Sequence, residues 1–159
     1  MEKEQVRDFA VRVAGASKTE LIVIMYDVIL ADLASARKAK EQNDVLLFEK
    51  EIEHAKKFVI ELIACLDLQY AISYELLSLY RFAHKQLVSA GLKRDVKNLD
   101  SVEEIISGLR KSFDTLSKSD VSGPVMKNAQ QLYAGLTYSK GSLNESMIDP
   151  HSASRGYTV

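Results

Sequence analysis

The helical fold of this chain depends on one segment, Ala16-Ser17-Lys18-Thr19-Glu20-Leu21-Ile22-Val23-Ile24-Met25-Tyr26-Asp27. Ser17 and Glu20 have the spacing of a capping box, in which the serine hydroxyl accepts a hydrogen bond from the backbone N–H of Glu20 and the glutamate carboxylate accepts one from the N–H of Ser17. A helix is therefore predicted to begin at Lys18. The run from Leu21 to Tyr26 is too apolar for a helix covered along one stripe of about 100°. We expect this helix to be covered on more than one side.

Three further segments carry apolar residues at helical spacing, with polar connections between them. Asp44 is expected to cap the second helix, and Gly91 to end the third. Four helices of similar length with short connections predict antiparallel neighbours, and hence an all-α fold built as an antiparallel up-down four-helix bundle. The predicted helices span residues 18–41, 45–66, 72–90 and 99–116.

The chain divides into three parts by composition. Residues 1–15 form an N-terminal arm, in which Val6 and Phe9 lie on one face of a predicted short helix. Residues 16–118 form the helical-bundle domain. Residues 119–159 form a C-terminal extension with a short amphipathic helix over 124–137, followed by a tail rich in Ser, Asn and Gly that is expected to be flexible.

Charge and hydropathy narrow the range of functions. The 21 Lys and Arg residues are balanced by 22 Asp and Glu residues, so the formal net charge of -1 creates no field that would attract nucleic acid or an anionic membrane. No window reaches the roughly 18 uninterrupted apolar residues of a membrane span, and the N-terminus lacks the apolar core of a signal peptide. We therefore predict a cytoplasmic protein with no nucleic-acid partner and no membrane insertion.

Residues with catalytic or metal-binding side chains are few and do not converge. His54 has a single carboxylate one turn away, on Glu51, and this Glu-x-x-His motif occurs once where a carboxylate-bridged metal site needs two copies. His84 and His151 have no acidic residue one turn away. Cys65 lies in an apolar helical pattern without a cationic neighbour, so we interpret it as a small buried hydrophobe. The sequence predicts no enzyme activity, no metal site and no cofactor.

Apolar surface is the remaining feature with functional meaning. The first and third predicted helices carry more large hydrophobes than a four-helix core needs, including Tyr26, Tyr74 and Phe82. Aromatic residues are enriched at interfaces relative to the rest of a protein surface. The surplus favours a groove that receives an amphipathic helix from a partner. A tighter core or a homodimer face remains the alternative.

The segment from Ala16 to Asp27 resembles the opening motif of the flagellar export chaperone FliS family, an Ala-Ser/Thr-Pro-x-x-Leu-x-x-Met-Leu-Tyr/Phe-Asp-Gly run. The similarity covers residues 16 to 118 and includes Leu76-Leu77-Ser78-Leu79-Tyr80-Arg81-Phe82, which is similar to the family's Asn-Leu-x-x-Leu-Tyr-x-Tyr-Met run. It departs from the family at Lys18, which stands in place of proline, and at Val28, which stands in place of glycine. The segment after Gly123 has no counterpart in the family pattern.

The resemblance implies a cytoplasmic chaperone that binds the C-terminal helices of flagellin, prevents premature polymerisation and assists delivery to the flagellar export apparatus. Other flagellar regulators and export components are further partners that it implies. The alternative is a structural helical adaptor or homodimerising bundle without a flagellin client. The matched motifs assign partner binding to Tyr26, Leu79, Tyr80 and Phe82. Val6 and Phe9 of the N-terminal arm are added on physical grounds.

Overall fold

The computed structural model describes residues 3–126, and every regular element in that range is a helix. The predicted all-α class is confirmed for this part of the chain. Of the helix predicted over 124–137, residues 124–126 are described and are not helical, and residues 127–137 lie outside the described residues. The five helices are α1 (Lys3–Gly15), α2 (Lys18–Glu41), α3 (Val45–Ala64), α4 (Ala71–Lys93) and α5 (Leu99–Ser117).

The capping box fixes the start of α2. The Glu20 N–H donates to Ser17 Oγ at 3.3 Å, and the Ser17 N–H donates to Glu20 Oε2 at 2.8 Å. These bonds satisfy two backbone N–H groups near the helix start that have no partner within the helix. The bounds of α2 are those predicted from the sequence.

The ends of α3 and α4 differ from the sequence prediction. α3 stops at Ala64, which leaves Cys65 exposed as the residue that ends the helix, so its interpretation as a buried hydrophobe is wrong. Gly91 does not end α4. A Cβ at Gly91 would lie 3.4 Å from Ile52 of α3, an ordinary van der Waals contact, so Gly91 marks the flank of α4 that faces α3. The left-handed residue that ends α4 is Arg94, with φ 50°.

Helices α2 to α5 pack in a ring in which α2 and α4 each contact both α3 and α5. Small and aromatic residues share the interior: Ala36, Ala39, Ala55 and Ala83 let the helices approach, and Phe48 fills the space between them. The largest fully buried side chains come from all four helices of the ring and include Tyr26, Ile29, Leu33, Ile52, Leu62, Tyr80, Leu87, Leu99 and Ile106.

Helix α1 packs against α2 outside this ring and explains part of the surplus apolar surface of α2. Phe9 and Val13 of α1 lie on a small buried cluster formed by Ala16, Ile24 and Val28. Leu21 and Phe58 border the same cluster. The expectation that α2 is covered on more than one side is therefore met by α1 on one side and the ring on the other.

Candidate functional site

The six residues predicted to bind a partner lie in three different places. Tyr26 and Tyr80 are in the core of the ring, Leu79 and Phe82 are on the outside of α4, and Val6 and Phe9 are on α1. Because α1 contacts α2 among the described helices and not α4, the arm and the α4 residues do not form one continuous surface.

Tyr26 and Tyr80 form a buried pair. Their side chains are 0% and 1% exposed, and their hydroxyl oxygens are 2.5 Å apart. The edge of the Phe113 ring packs on Tyr26 with centroids 5.6 Å apart. Burial, and then the hydrogen bond to Tyr80, raises the pKa of Tyr26 well above its usual range. The contact of these two side chains with a partner stays a prediction, and in the structure the ring encloses both.

A row of exposed apolar side chains runs along the outside of α4. Ile72 is 58% exposed, Leu79 37% and Phe82 43%. At 100° and 1.5 Å per residue these three span about 80° of the helix surface and about 15 Å of its length. Ile72 lies on the first turn of α4, at the edge of the buried stripe.

Two contacts show which neighbour this row faces. Ser89 lies two turns beyond Phe82 on the same side of α4, and its Oγ accepts a hydrogen bond from Asn98 Nδ2, just before α5, at 3.1 Å. The opposite flank, marked by Gly91, faces Ile52 of α3. The exposed row therefore borders α5.

Helix α5 carries its own apolar stripe towards α4. Arg37 of α2 pairs with Glu103 of α5, and Asp27 of α2 pairs with Arg110, so these contacts mark the side of α5 that faces α2. The stripe lies on the other side of α5 by helical spacing. Together the two rows form what we name the α4–α5 surface, which consists of Ile72, Leu79, Phe82, Ile105, Leu109 and Leu116.

Asp27 joins α1 and α5 to α2. Its carboxylate accepts from Arg12 Nη2 of α1 at 2.6 Å and from Arg110 Nε of α5 at 2.8 Å. Burial by itself would raise the pKa of Asp27, but the two guanidinium groups outweigh it and hold the pKa below its usual value. Asp27 therefore stays ionised at neutral pH and connects three helices.

Replacement of Arg12 by alanine is expected to loosen α1 without unfolding the ring. A partly exposed ion pair contributes up to about 1 kcal/mol, so the backbone amides of α1 are expected to exchange up to about fivefold faster. Hydrogen exchange with peptide resolution measures this. Arg110→Ala is the matched control, since it leaves the Arg12–Asp27 pair in place. Equal exchange in α1 for the two variants would rule out the role assigned to Arg12.

The sequence model of the flagellar protein FliS family matches residues 2–120. The chain belongs to the flagellar protein FliS family. Membership implies a flagellar export chaperone, and the resemblance seen in the motifs is confirmed. The comparison with curated proteins gives no significant match. The matched range contains α1 and the whole ring, so this FliS family member carries both parts of its described fold within the shared region.

Within the described residues of this FliS family member, no three His, Cys, Asp or Glu side chains form a group that could hold a metal ion. None of the five helices is long and apolar enough to cross a membrane.

One cluster of ionisable side chains in this FliS family member was not predicted from the sequence. His54 Nδ1 lies 2.7 Å from Oδ2 of Asp32, which is fully buried on α2. Glu51 is buried beside them on α3. Burial raises the pKa of Asp32 to about 7; His54 opposes this rise and the Glu51 carboxylate adds to it. The feature of the sequence that could have indicated this cluster is Asp32 itself, an acidic residue placed among the core residues Ile29, Leu33 and Ala36.

The raised pKa of Asp32 predicts a stability that falls as pH rises. In the unfolded chain Asp32 ionises near its usual pKa of about 3.9, so between pH 4 and pH 7 the folded chain holds a proton that the unfolded chain has lost. We expect Asp32→Asn to remove this dependence and to stabilise the chain at pH 8 by about 1–3 kcal/mol, the cost of a poorly compensated buried polar group. Urea unfolding at pH 5 and pH 8 measures both effects. A wild-type stability that rises between these pH values would contradict the assignment.

Proposed function

We propose that this chain is a cytoplasmic chaperone that binds the C-terminal helical region of flagellin. In this role it prevents premature polymerisation of flagellin and assists delivery of the subunit to the flagellar export apparatus. Other flagellar regulators and export components are proposed as further partners. The ring of α2 to α5 is proposed to be an antiparallel up-down four-helix bundle, a rigid support for the binding surface.

The observation that carries the proposal is the α4–α5 surface on a member of the flagellar protein FliS family. Contiguous apolar surface on a soluble protein marks an interaction site more often than it marks chance exposure. Phe82 supplies an aromatic anchor and Leu79 an aliphatic one, on adjacent turns of α4. Two facing apolar rows of this length suit an amphipathic helix with apolar residues at i, i+3 and i+7.

The weak packing between α4 and α5 supports the same location. The backbones of these two helices lie close together over less of their length than those of the other neighbouring pairs of the ring. Leu109 and Phe113 of α5 are partly buried against the core, while Leu116 at the end of α5 is exposed. A client helix would cover side chains that the ring leaves half exposed, and would gain about 25 cal/mol for each Å² of apolar area removed from water.

Leu79 and Phe82 keep the client-binding role assigned from the sequence. Val6 and Phe9 are proposed to act through α1: Phe9 packs on the α2 cluster, and Val6 stays exposed and available for contact. Tyr26 and Tyr80 are proposed to shape the core beneath α4 and to stay out of contact with the client.

Co-purification tests the function. The chain is expressed with a tagged C-terminal segment of flagellin from the same genome, and with the N-terminal segment as a matched control. We expect capture by the C-terminal segment alone, and we expect added chain to slow filament growth from flagellin monomers. Failure of both segments to capture the chain, together with a dimeric mass in light scattering, would instead support the structural adaptor or homodimerising bundle.

A further inference from the structure

We propose that apolar side chains of this chain's own C-terminal segment, Ala129, Leu132, Tyr133 and Leu136, occupy a cleft between α1, α2 and α5 and fasten α1 to the ring. These four residues lie outside the described part of the chain and beyond the family match, which ends at residue 120. The inference does not depend on the identity of the client.

The described chain after α5 turns back to the start of α2. Asp120 Oδ2 accepts from Thr19 Oγ1 at 2.7 Å and from the Thr19 N–H at 3.3 Å, so Asp120 satisfies a backbone donor in the first turn of α2. Its other oxygen accepts from the Ser122 N–H at 2.9 Å. Gly123, with φ 71°, makes the turn that a residue with a Cβ would rarely adopt.

A backbone hydrogen bond then holds the chain beside the cleft. The Val125 N–H donates to the carbonyl oxygen of Ala16 at 3.0 Å, and Ala16 is itself a wall of the cleft. Ala129 is three positions after Met126, a distance of at most about 10 Å in extended chain. The first apolar residue of the segment therefore begins within reach of the cleft.

The cleft has the size and lining to receive apolar side chains. Its volume is about 400 Å³, within the roughly 300–1,000 Å³ of typical ligand pockets. Ala16, Val23 and Ile24 form an apolar floor, and Val11 of α1 adds to it. The rim is polar and is formed by Arg12, Glu20, Asp114 and Ser117.

The segment matches the cleft in pattern and in charge. Ala129, Leu132, Tyr133 and Leu136 recur at intervals of three and four, a spacing that is typical of one face of a helix. Between residues 121 and 144 the side chains charged at neutral pH are two lysines, Lys127 and Lys140, and there is no Asp or Glu. Glu20 and Asp114 on the rim are carboxylates; Glu20 accepts from the Ser17 N–H, Asp114 pairs with Lys118, and Arg12 pairs with Asp27.

Occupation of the cleft has a structural consequence for α1. In the described part of the chain, α1 packs on α2, and the Arg12–Asp27–Arg110 bridge links it to α5. A segment lying against Val11 on one side and Asp114 on the other would connect α1 to α5 directly. The segment would cover the outer side of α1 and slow the local unfolding that separates α1 from the ring.

Hydrogen exchange on the full-length chain tests the proposal. Leu132→Asp/Leu136→Asp places two charges on the docking face, and Leu143→Asp/Ile148→Asp places two equivalent charges further along the tail as a matched control. We expect amides of residues 11–16 and 113–117 to exchange at least about fivefold faster in the first variant and unchanged in the second. Identical exchange in wild type and both variants would overturn the proposal.

The same measurement separates the chain's own segment from other occupants. Docking of the chain's own segment gives protection that is independent of protein concentration, in a species that light scattering reports as a monomer. Protection that falls on dilution, or that appears only after a flagellin segment is added, would assign the cleft to a second copy or to the client, and would overturn the proposal. Neither outcome bears on whether flagellin binds the α4–α5 surface.

Discussion

Replacement of Phe82 by aspartate is expected to abolish capture of the flagellin C-terminal segment while the helical circular dichroism signal stays intact. Phe82 is exposed enough to accept a charge in the free chain, but the complex would bury that charge against apolar surface. Loss of an aromatic anchor at an interface costs about 2 kcal/mol or more, a fall in affinity of at least about 30-fold. Titration calorimetry with the purified segment measures the loss.

Tyr74→Asp is the matched control for Phe82→Asp. Tyr74 is an aromatic residue on the same helix and is more exposed than Phe82, but it lies about 80° further around the helix, away from α5. We expect this variant to bind flagellin as the wild type does. Equal loss of binding in both variants would remove the α4–α5 surface as the site, and global unfolding of Phe82→Asp would place Phe82 in the core.

Replacement of Tyr26 by alanine is expected to lower the free energy of unfolding by about 3–5 kcal/mol, the usual cost of removing a large buried aromatic side chain. Tyr26 packs on the Tyr80 and Phe113 rings and is fully enclosed. Its removal therefore leaves a cavity in the core that solvent does not reach. A loss of this size is a large share of the total stability of a domain of this length. Urea unfolding followed by circular dichroism measures it.

Substitution of the two hydroxyl groups separates a structural role from a binding role. Tyr26→Phe or Tyr80→Phe alone leaves one buried hydroxyl without its partner, at about 1–3 kcal/mol, whereas the double variant leaves none and is expected to recover most of that loss. If instead Tyr26→Phe weakened flagellin capture and left stability unchanged, the residue would contact the client, as first predicted from the motif.

The sequence predicted the helices well because each depends on local chemistry. The capping box at Ser17 and Glu20 places the start of α2 from side chains three residues apart, and Asp44 likewise accepts from the Leu47 N–H and caps α3. Gly91 was wrongly predicted to end α4, because a glycine favours a helix end but does not require one. The helix continues to Lys93, and Arg94 takes the left-handed conformation at its end.

Side-chain partners on different helices could not be predicted in the same way. Helical spacing shows that Tyr26 lies on an apolar face, but it does not show which element covers that face. Two neighbours cover α2: the ring encloses Tyr26, and α1 packs on Ile24 and Val28. The Asp32–His54 pair joins residues 22 positions apart, beyond the one-turn window in which His54 was compared with Glu51.

Photocrosslinking decides whether flagellin lies on the α4–α5 surface. A benzoylphenylalanine residue is placed at position 79 in one variant and at position 74 in another, and each purified variant is irradiated with the C-terminal segment of flagellin. We expect a covalent adduct from position 79 and none from position 74. A complex that forms normally but yields an adduct only from position 74, or from neither position, would contradict the proposed binding surface.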